Sequence, residues 1–175
     1  MRNTFDRFNG RHQDYQAARP SYAQEFLDWL GELYAPPERY TAADIGSGTG
    51  KLSAQLLAAG FRVCGVEPNP DMRGAAEALL GGDPRFSSSN GTDHDTGLPD
   101  RSVDMVAAAQ AFHWFDGPAF ARECRRILRP GGRAVLVWNV RGSAPVNQAL
   151  AQVFREHCPS FHGFTGGMGE DDPRI

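Results

Sequence analysis

Asp44-Ile45-Gly46-Ser47-Gly48-Thr49-Gly50 sets three glycines at alternate positions directly after an acidic residue. Without Cβ atoms such a run can turn tightly and bring its backbone against a ligand. Glu67 closes a second apolar run, Phe61 to Val66, at a place where a carboxylate can accept hydrogen bonds from both hydroxyls of a ribose. Together they point to an adenosine-like ligand, although Glu67 taken alone suits equally a carboxylate that meets solvent or caps the next helix. The dinucleotide pattern GxGxxG needs its third glycine one residue later than Gly50, which disfavours a nicotinamide cofactor. The triphosphate loop fails too, because Lys51 is followed by Leu52 rather than by Ser or Thr.

His113 stands between Phe112 and Trp114-Phe115. With an ordinary pKa of about 6.5 it can take a proton from a hydroxyl or an amine, and the same segment suits an aromatic wall. His12, His94, His157 and His162 lack metal-ligand spacing with cysteines or carboxylates, so no metal is expected. Cys64, Cys124 and Cys158 are odd in number, far apart and without a CxxC pair, which argues against a disulfide framework or a cysteine zinc site. Trp29, Trp114 and Trp138 fit core or cleft lining better than a base-stacking platform, since no basic stripe accompanies them.

The 175 residues carry a net charge of -3, and of the 18 basic residues only Lys51 is lysine. The arginines are dispersed, so neither nucleic acid nor an anionic membrane is expected as partner. No apolar leader opens the chain and no window approaches about 18 consecutive apolar residues, so the expectation is a reduced, cytoplasmic protein. With 41% hydrophobic residues and a length near that of one domain, the chain can bury a two-sided core.

Elements follow from the period of the apolar residues and from Gly and Pro punctuation. Phe26, Leu27, Leu30 and Leu33 predict a helix over 22–33. Tyr40 to Ile45 predicts a strand, then the glycine turn, then a helix with Leu52, Leu56 and Leu57 on one face and Gly60 as stop. Phe61 to Val66 predicts a second strand, and Asn69 caps a helix with Pro70 first and Met72, Ala75, Ala76, Leu79 and Leu80 inward. Arg85 to Ser89 and Val103 to Ala109 predict two more strands. Asp116 or Gly117 opens a helix that Pro130-Gly131-Gly132 breaks. Ala134 to Trp138 predicts a fifth strand buried on both faces, and Pro145 to Phe154 a helix. Alternating strands and helices give an α/β, doubly wound, mostly parallel sheet with helices on both faces, whose ligands bind at the carboxyl ends of the strands.

Asp44 to Gly50, Val66-Glu67-Pro68-Asn69-Pro70-Asp71-Met72 and Leu128-Arg129-Pro130-Gly131-Gly132, in this order and spacing, resemble class I S-adenosylmethionine-dependent methyltransferases. Gly97 to Asp104 and Gln110-Ala111-Phe112-His113-Trp114-Phe115 resemble the small-molecule branch that includes trans-aconitate methyltransferase-like proteins. The resemblance runs from about Phe8 to about Asn139. It implies a Rossmann-like fold and S-adenosylmethionine as cofactor, with Asp44 and Gly46 near its methionine part, Ser47, Gly48 and Gly50 in the turn, and Glu67 with Pro68 at the ribose. It places Thr92 and Asp93 near adenine and Gln110 toward the methionine end or the substrate. Tyr15 and Arg19 resemble the branch's cofactor-covering segment. His113 and Trp114 would face a small-molecule acceptor, and no catalytic residue is required, since the donor is already activated.

The resemblance departs at Asp93-His94, where relatives usually carry Ala-Glu, and at the end of the chain, where an antiparallel pair of strands expected in the fold is missing. The implied organisation is a covering segment and helix over residues 1–38, a cofactor-binding core over 39–158, and a loop-like tail over 159–175. The alternative to an active enzyme is a cofactor-binding module without turnover. An uncovered edge beside the fifth strand would favour a homodimer.

Overall fold

The computed structural model describes residues 21–139 and residues 152, 153 and 156. Residues 21–137 belong to one compact unit; Trp138, Asn139, Gln152, Val153 and Glu156 belong to a second. In the first, helix α1 (Gln24–Leu33) precedes a single 3-10 turn (Pro37–Arg39). Strand β1 (Thr41–Ile45), helix α2 (Lys51–Ala58), strand β2 (Arg62–Val66), helix α3 (Pro70–Leu80) and strand β3 (Phe86–Ser89) follow. Strand β4 (Val103–Ala109), a 3-10 turn (Phe112–Trp114), helix α4 (Gly117–Ile127) and strand β5 (Leu128–Val137) complete it.

All four strand pairings are parallel, in the order β3-β2-β1-β4-β5. The order reverses direction between β1 and β4, and right-handed crossovers then put α2 and α3 on one face and α4 on the other. Side-chain alternation agrees with this. Ala42, Val63, Met105 and Ala107 share a fully buried cluster with Leu52, Leu56 and Leu57 of α2 and Leu30 of α1. Ala43, Ile45, Val106 and Ala108 alternate with them and are equally buried, and Phe120, Cys124 and Ile127 are the buried stripe of α4.

The caps fall where the sequence puts them. Asn69 Oδ1 accepts from Asp71 N–H and Met72 N–H at 3.0 and 3.1 Å, and Asp116 Oδ1 accepts from Ala119 N–H at 2.9 Å. Pro70 and Pro118 occupy first-turn positions, whose N–H groups have no helical partner in any case.

Three expectations are corrected. First, α4 ends at Ile127, before Pro130-Gly131-Gly132, because Leu128 is already extended and pairs with Val103. The Pro-Gly-Gly run lies inside β5 as an irregularity: the register jumps from Leu128 opposite Val103 to Arg133 opposite Met105. Second, β5 is not buried on both faces. It has a neighbour only on the β4 side among the described strands, and Arg133 and Ala134 are exposed. Third, Leu79 is 54% exposed, since α3 buries only the Met72 and Ala76 stripe. The helix expected over Pro145 to Phe154 falls mostly outside the described residues, of which Gln152 and Val153 are helical, and the tail after Cys158 lies outside them. Cys64 and Cys124 are buried free thiols. Among the described residues no helix is long and apolar enough to cross a membrane.

Candidate functional site

Residues 46–50 leave β1 in a turn tied to its neighbour strand. Gly46 N–H and Ser47 N–H both donate to Val66 O, at 2.8 and 3.2 Å, and Gly50 N–H closes the turn on Ser47 O at 2.9 Å. Gly46, Gly48 and Gly50 have φ of 70, 57 and 81°, a region in which any other L-residue is strained. Space agrees with conformation: a Cβ on Gly46 would lie 2.8 Å from Ala111 Cβ, and one on Gly50 would lie 2.8 Å from Leu80 Cδ1.

Glu67 follows β2 and is nearly buried. Its Oε2 accepts Gly48 N–H and its Oε1 accepts Asn69 N–H, both at 2.9 Å. Burial pushes its carboxyl above the usual range, while the two N–H donors and the nearby Arg73 pull the other way. Each oxygen spends one acceptor position on backbone and keeps another. Two neighbouring hydroxyls are what such a carboxylate can hold.

Asp44 lies beneath the turn rather than on a surface. It is 1% exposed, with Oδ2 accepting the Ser53 hydroxyl at 2.8 Å. Burial pushes it up to about 6, against the opposing effect of the Ser53 hydrogen bonds.

The ends of β1, β2 and β4 open onto a solvent-connected cleft of about 170 Å³. Gly46 and Gly48 line it from the turn, Glu67, Pro68, Asn69 and Met72 from the β2 end, and Thr92 and Asp93 from the connection after β3. Ala109, Gln110, Ala111, Trp114 and Phe115 line it from the β4 end. Gln110 is a non-glycine residue with φ of 55°, its N–H donating to Val137 O at 2.8 Å. Asp93 spends its carboxylate on protein: Oδ2 accepts Asp116 N–H at 3.1 Å and Oδ1 pairs with His94 Nδ1 at 3.0 Å.

Of the residues singled out from sequence, Gly46, Gly48, Glu67, Pro68, Thr92, Asp93, Gln110 and Trp114 come together on this cleft. Asp44, Ser47 and Gly50 shape its floor without lining it, and His113 packs on Trp114 with ring centres 4.8 Å apart, outside the lining. Tyr15 and Arg19 lie outside the described residues. Sequence reasoning missed Asn69, Met72, Ala109, Ala111 and Phe115 as lining. Asn69 and Met72 carried a signal, since a cap and its third following residue must sit beside the strand end that holds Glu67. Ala109 and Ala111 carried none.

Comparison with known proteins agrees with the geometry. Residues 43–136 match the family model described as a methyltransferase domain. An uncharacterised methyltransferase of Mycobacterium bovis is 42% identical over 127 residues, covering 73% of this chain and 49% of the relative. An uncharacterised methyltransferase of Schizosaccharomyces pombe is 32% identical over 147 residues, covering 83% of this chain and 57% of the relative. The solved structure of a protein proposed to be a type II methyltransferase from Anaeromyxobacter dehalogenans is 37% identical, with a TM-score of 0.64 over 83% of this chain and 57% of that one. The chain thus spans about half the length of the curated relatives it matches. With a doubly wound sheet and a glycine turn in the matched region, the chain belongs to the methyltransferase domain family.

Proposed function

We propose that the chain binds S-adenosylmethionine in this cleft and transfers its methyl group to a small-molecule acceptor by in-line displacement, releasing S-adenosylhomocysteine. The observation that carries the reading is Glu67, held by Gly48 N–H and Asn69 N–H with one acceptor position left on each oxygen. A ribose diol matches that pair. The left-handed glycines support the fit, because side chains at Gly46 would collide with Ala111 and fill the turn. Pro68, Met72 and Thr92 offer a mixed apolar and hydroxyl wall for a flat base, and Asp93 joins them.

Bound S-adenosylmethionine supplies a methyl group already activated on a sulfonium, so the protein's contribution is position and exclusion of water. In this reading Gly46 and Gly48 carry the backbone close to the ligand, and Asp44, Ser47 and Gly50 hold the turn in shape. Gln110, Trp114 and Phe115 close the end toward the acceptor. His113, packed on Trp114 outside the lining, is assigned no proton transfer, and a carboxylate acceptor needs no base.

Calorimetry with S-adenosylhomocysteine tests the reading. Saturable binding to the wild-type chain, weakened by Glu67→Ala and not mimicked by NAD, is expected. Absent binding, or binding indifferent to Glu67→Ala, overturns it.

A further inference from the structure

Thr92 and Asp93 reach the cleft from residues 90–102, which carry no helix or strand. Such a stretch has no strand ladder, so side chains carry much of its shape. Thr96 supplies it. This residue is fully buried; its N–H and its hydroxyl both donate to Glu123 Oε1, at 2.9 and 2.6 Å. Its carbonyl accepts the Ser89 hydroxyl at 2.7 Å, and Leu98 N–H donates to its Oγ1 at 3.2 Å. Glu123, 7% exposed on α4, is fixed in turn by Arg126, whose Nε donates to Oε2 at 2.8 Å and whose second nitrogen donates to Oε1 at 2.7 Å.

A second tie runs from Asp116 N–H to Asp93 Oδ2. Asp116 is the N-cap of α4, seven positions before Glu123, so one tie runs to the start of that helix and the other to a point about two turns along it. Between them the segment closes on itself: Thr92 N–H donates to Asp95 O at 2.8 Å, and Asp95 N–H donates to Thr92 Oγ1 at 3.1 Å. There is no slack in the return, for a Cβ on Gly91 would lie 2.5 Å from Thr96 O.

The Glu123–Arg126 pair is a weak stabiliser, because the Arg126 side chain is 36% exposed and solvent screens the attraction. What a carboxylate gives here that an apolar side chain cannot is direction, a fixed acceptor for two donors of one residue. We infer that Glu123 is a positioning residue for the ligand, setting through Thr96 where Thr92 and Asp93 stand on the cleft wall. This inference rests on the adenosyl-ligand reading above. The Arg126 guanidinium beside Glu123 holds its carboxyl down to about 2, so the clamp stays charged at any working pH.

The test uses Glu123→Gln, which removes the charge and turns an amide N–H toward Arg126 Nε while one oxygen is left for Thr96, and Thr96→Val, which removes the hydroxyl but keeps the N–H and the volume. Thr96→Ser restores the hydroxyl. Val63→Ala, at a fully buried β2 position outside the clamp, controls for simple destabilisation. Calorimetry with S-adenosylhomocysteine, under conditions where circular dichroism shows every variant folded, should give about tenfold weaker binding for Glu123→Gln and Thr96→Val. Thr96→Ser and Val63→Ala should stay within about twofold of wild type. Amide exchange should rise over residues 91–98 in Glu123→Gln while β1 and β2 keep their protection. Unchanged affinity in both clamp variants, or an equal loss in Val63→Ala, overturns the inference. If the wild-type chain binds no S-adenosylhomocysteine, the functional reading falls separately, and the exchange result alone decides whether Glu123 sets the segment. Should Glu123→Gln fail to fold, Thr96→Val carries the comparison.

Discussion

Gly48 and Glu67, separated by 19 positions in the chain, are joined by a 2.9 Å hydrogen bond from the Gly48 N–H to the Glu67 carboxylate. The bond crosses between the ends of two adjacent parallel strands, β1 and β2. It makes the orientation of the carboxylate depend on a glycine conformation, and the turn depend on the carboxylate. Asn69 completes the arrangement: one residue caps α3 with its side chain and holds Glu67 with its backbone.

This coupling predicts that Gly48→Ala and Glu67→Gln weaken binding in different ways. A Cβ at φ of 57° costs about 1–2 kcal/mol of backbone strain, so Gly48→Ala should lower the melting temperature as well as the affinity for S-adenosylhomocysteine. Glu67→Gln keeps the volume and loses a charged acceptor, a loss of about 1.5–3 kcal/mol, or roughly tenfold to a hundredfold in affinity. Its melting temperature should fall for a different reason, because one of the two backbone donors, Gly48 N–H or Asn69 N–H, would then face an amide N–H. Paired melting curves and calorimetry check both. Equal affinity in Glu67→Gln and wild type would rule out hydroxyl recognition by this carboxylate.

Much of this arrangement was legible before the structure. The strands over 41–45, 62–66 and 103–109, the caps at Asn69 and Asp116, and the cleft residues at the ends of β1 and β2 follow from local rules: apolar period, cap chemistry and glycine spacing. What was not legible depends on which strand is a neighbour. Ala134 to Trp138 read as a strand covered on both faces because apolarity reports potential for burial, not the presence of a partner. The Glu123 to Thr96 clamp was hidden for the same reason, since an amphipathic pattern does not distinguish a buried glutamate on the rim of the apolar stripe from a solvated one. Ala109 and Ala111 matter as spaces, and a small side chain announces nothing in sequence.

Gly46 gives a steric prediction with an internal control. In Gly46→Ala the new methyl would sit 2.8 Å from Ala111 Cβ and 3.3 Å from Phe115 Cζ, at φ of 70°. Strain and collision should together cost several kcal/mol, of which about 1–2 belong to the backbone. Ala111→Gly in the same chain removes the nearest collision but not the strain. The double variant should therefore recover part of the stability lost in Gly46→Ala, a coupling readable from urea unfolding of the four proteins in the cycle. Strict additivity would show that the two residues do not press on each other.

Asp44 makes stability depend on pH with a determined sign. Its carboxyl is pushed up to about 6 by burial from an ordinary 3.8, so between these values the folded protein keeps a proton that the unfolded chain has released. Stability from this group is therefore greatest below about pH 4, falls as pH rises to about 6 and is level above, for a change of about 3 kcal/mol. Asp44→Asn does not titrate and should gain on wild type by that order between pH 4 and pH 7. Glu123, whose depressed carboxyl acts in the opposite sense, is common to both proteins and cancels in the difference. Urea unfolding at the two pH values measures it, and parallel pH profiles would mean that Asp44 ionises in the folded protein as it does in the unfolded chain.

Gln110 predicts an opposition between stability and function. It closes β4 with φ of 55°, its N–H held by Val137 O, and it lines the cleft. A non-glycine residue held there costs about 1–2 kcal/mol, and such strain persists where surrounding structure enforces it, often at ligand sites. Glycine relieves the strain but adds about 0.5–1 kcal/mol of unfolded-chain entropy, so Gln110→Gly should be more stable than wild type by up to about 1 kcal/mol. Gln110→Ala keeps the strained backbone and loses the same carboxamide, and should show no such gain. If the carboxamide serves the ligand, both variants should lose affinity for S-adenosylhomocysteine or turnover to the same degree while their melting temperatures diverge. A Gln110→Gly protein with undiminished binding and turnover would assign the side chain no part in the site and leave the backbone strain without a functional reason.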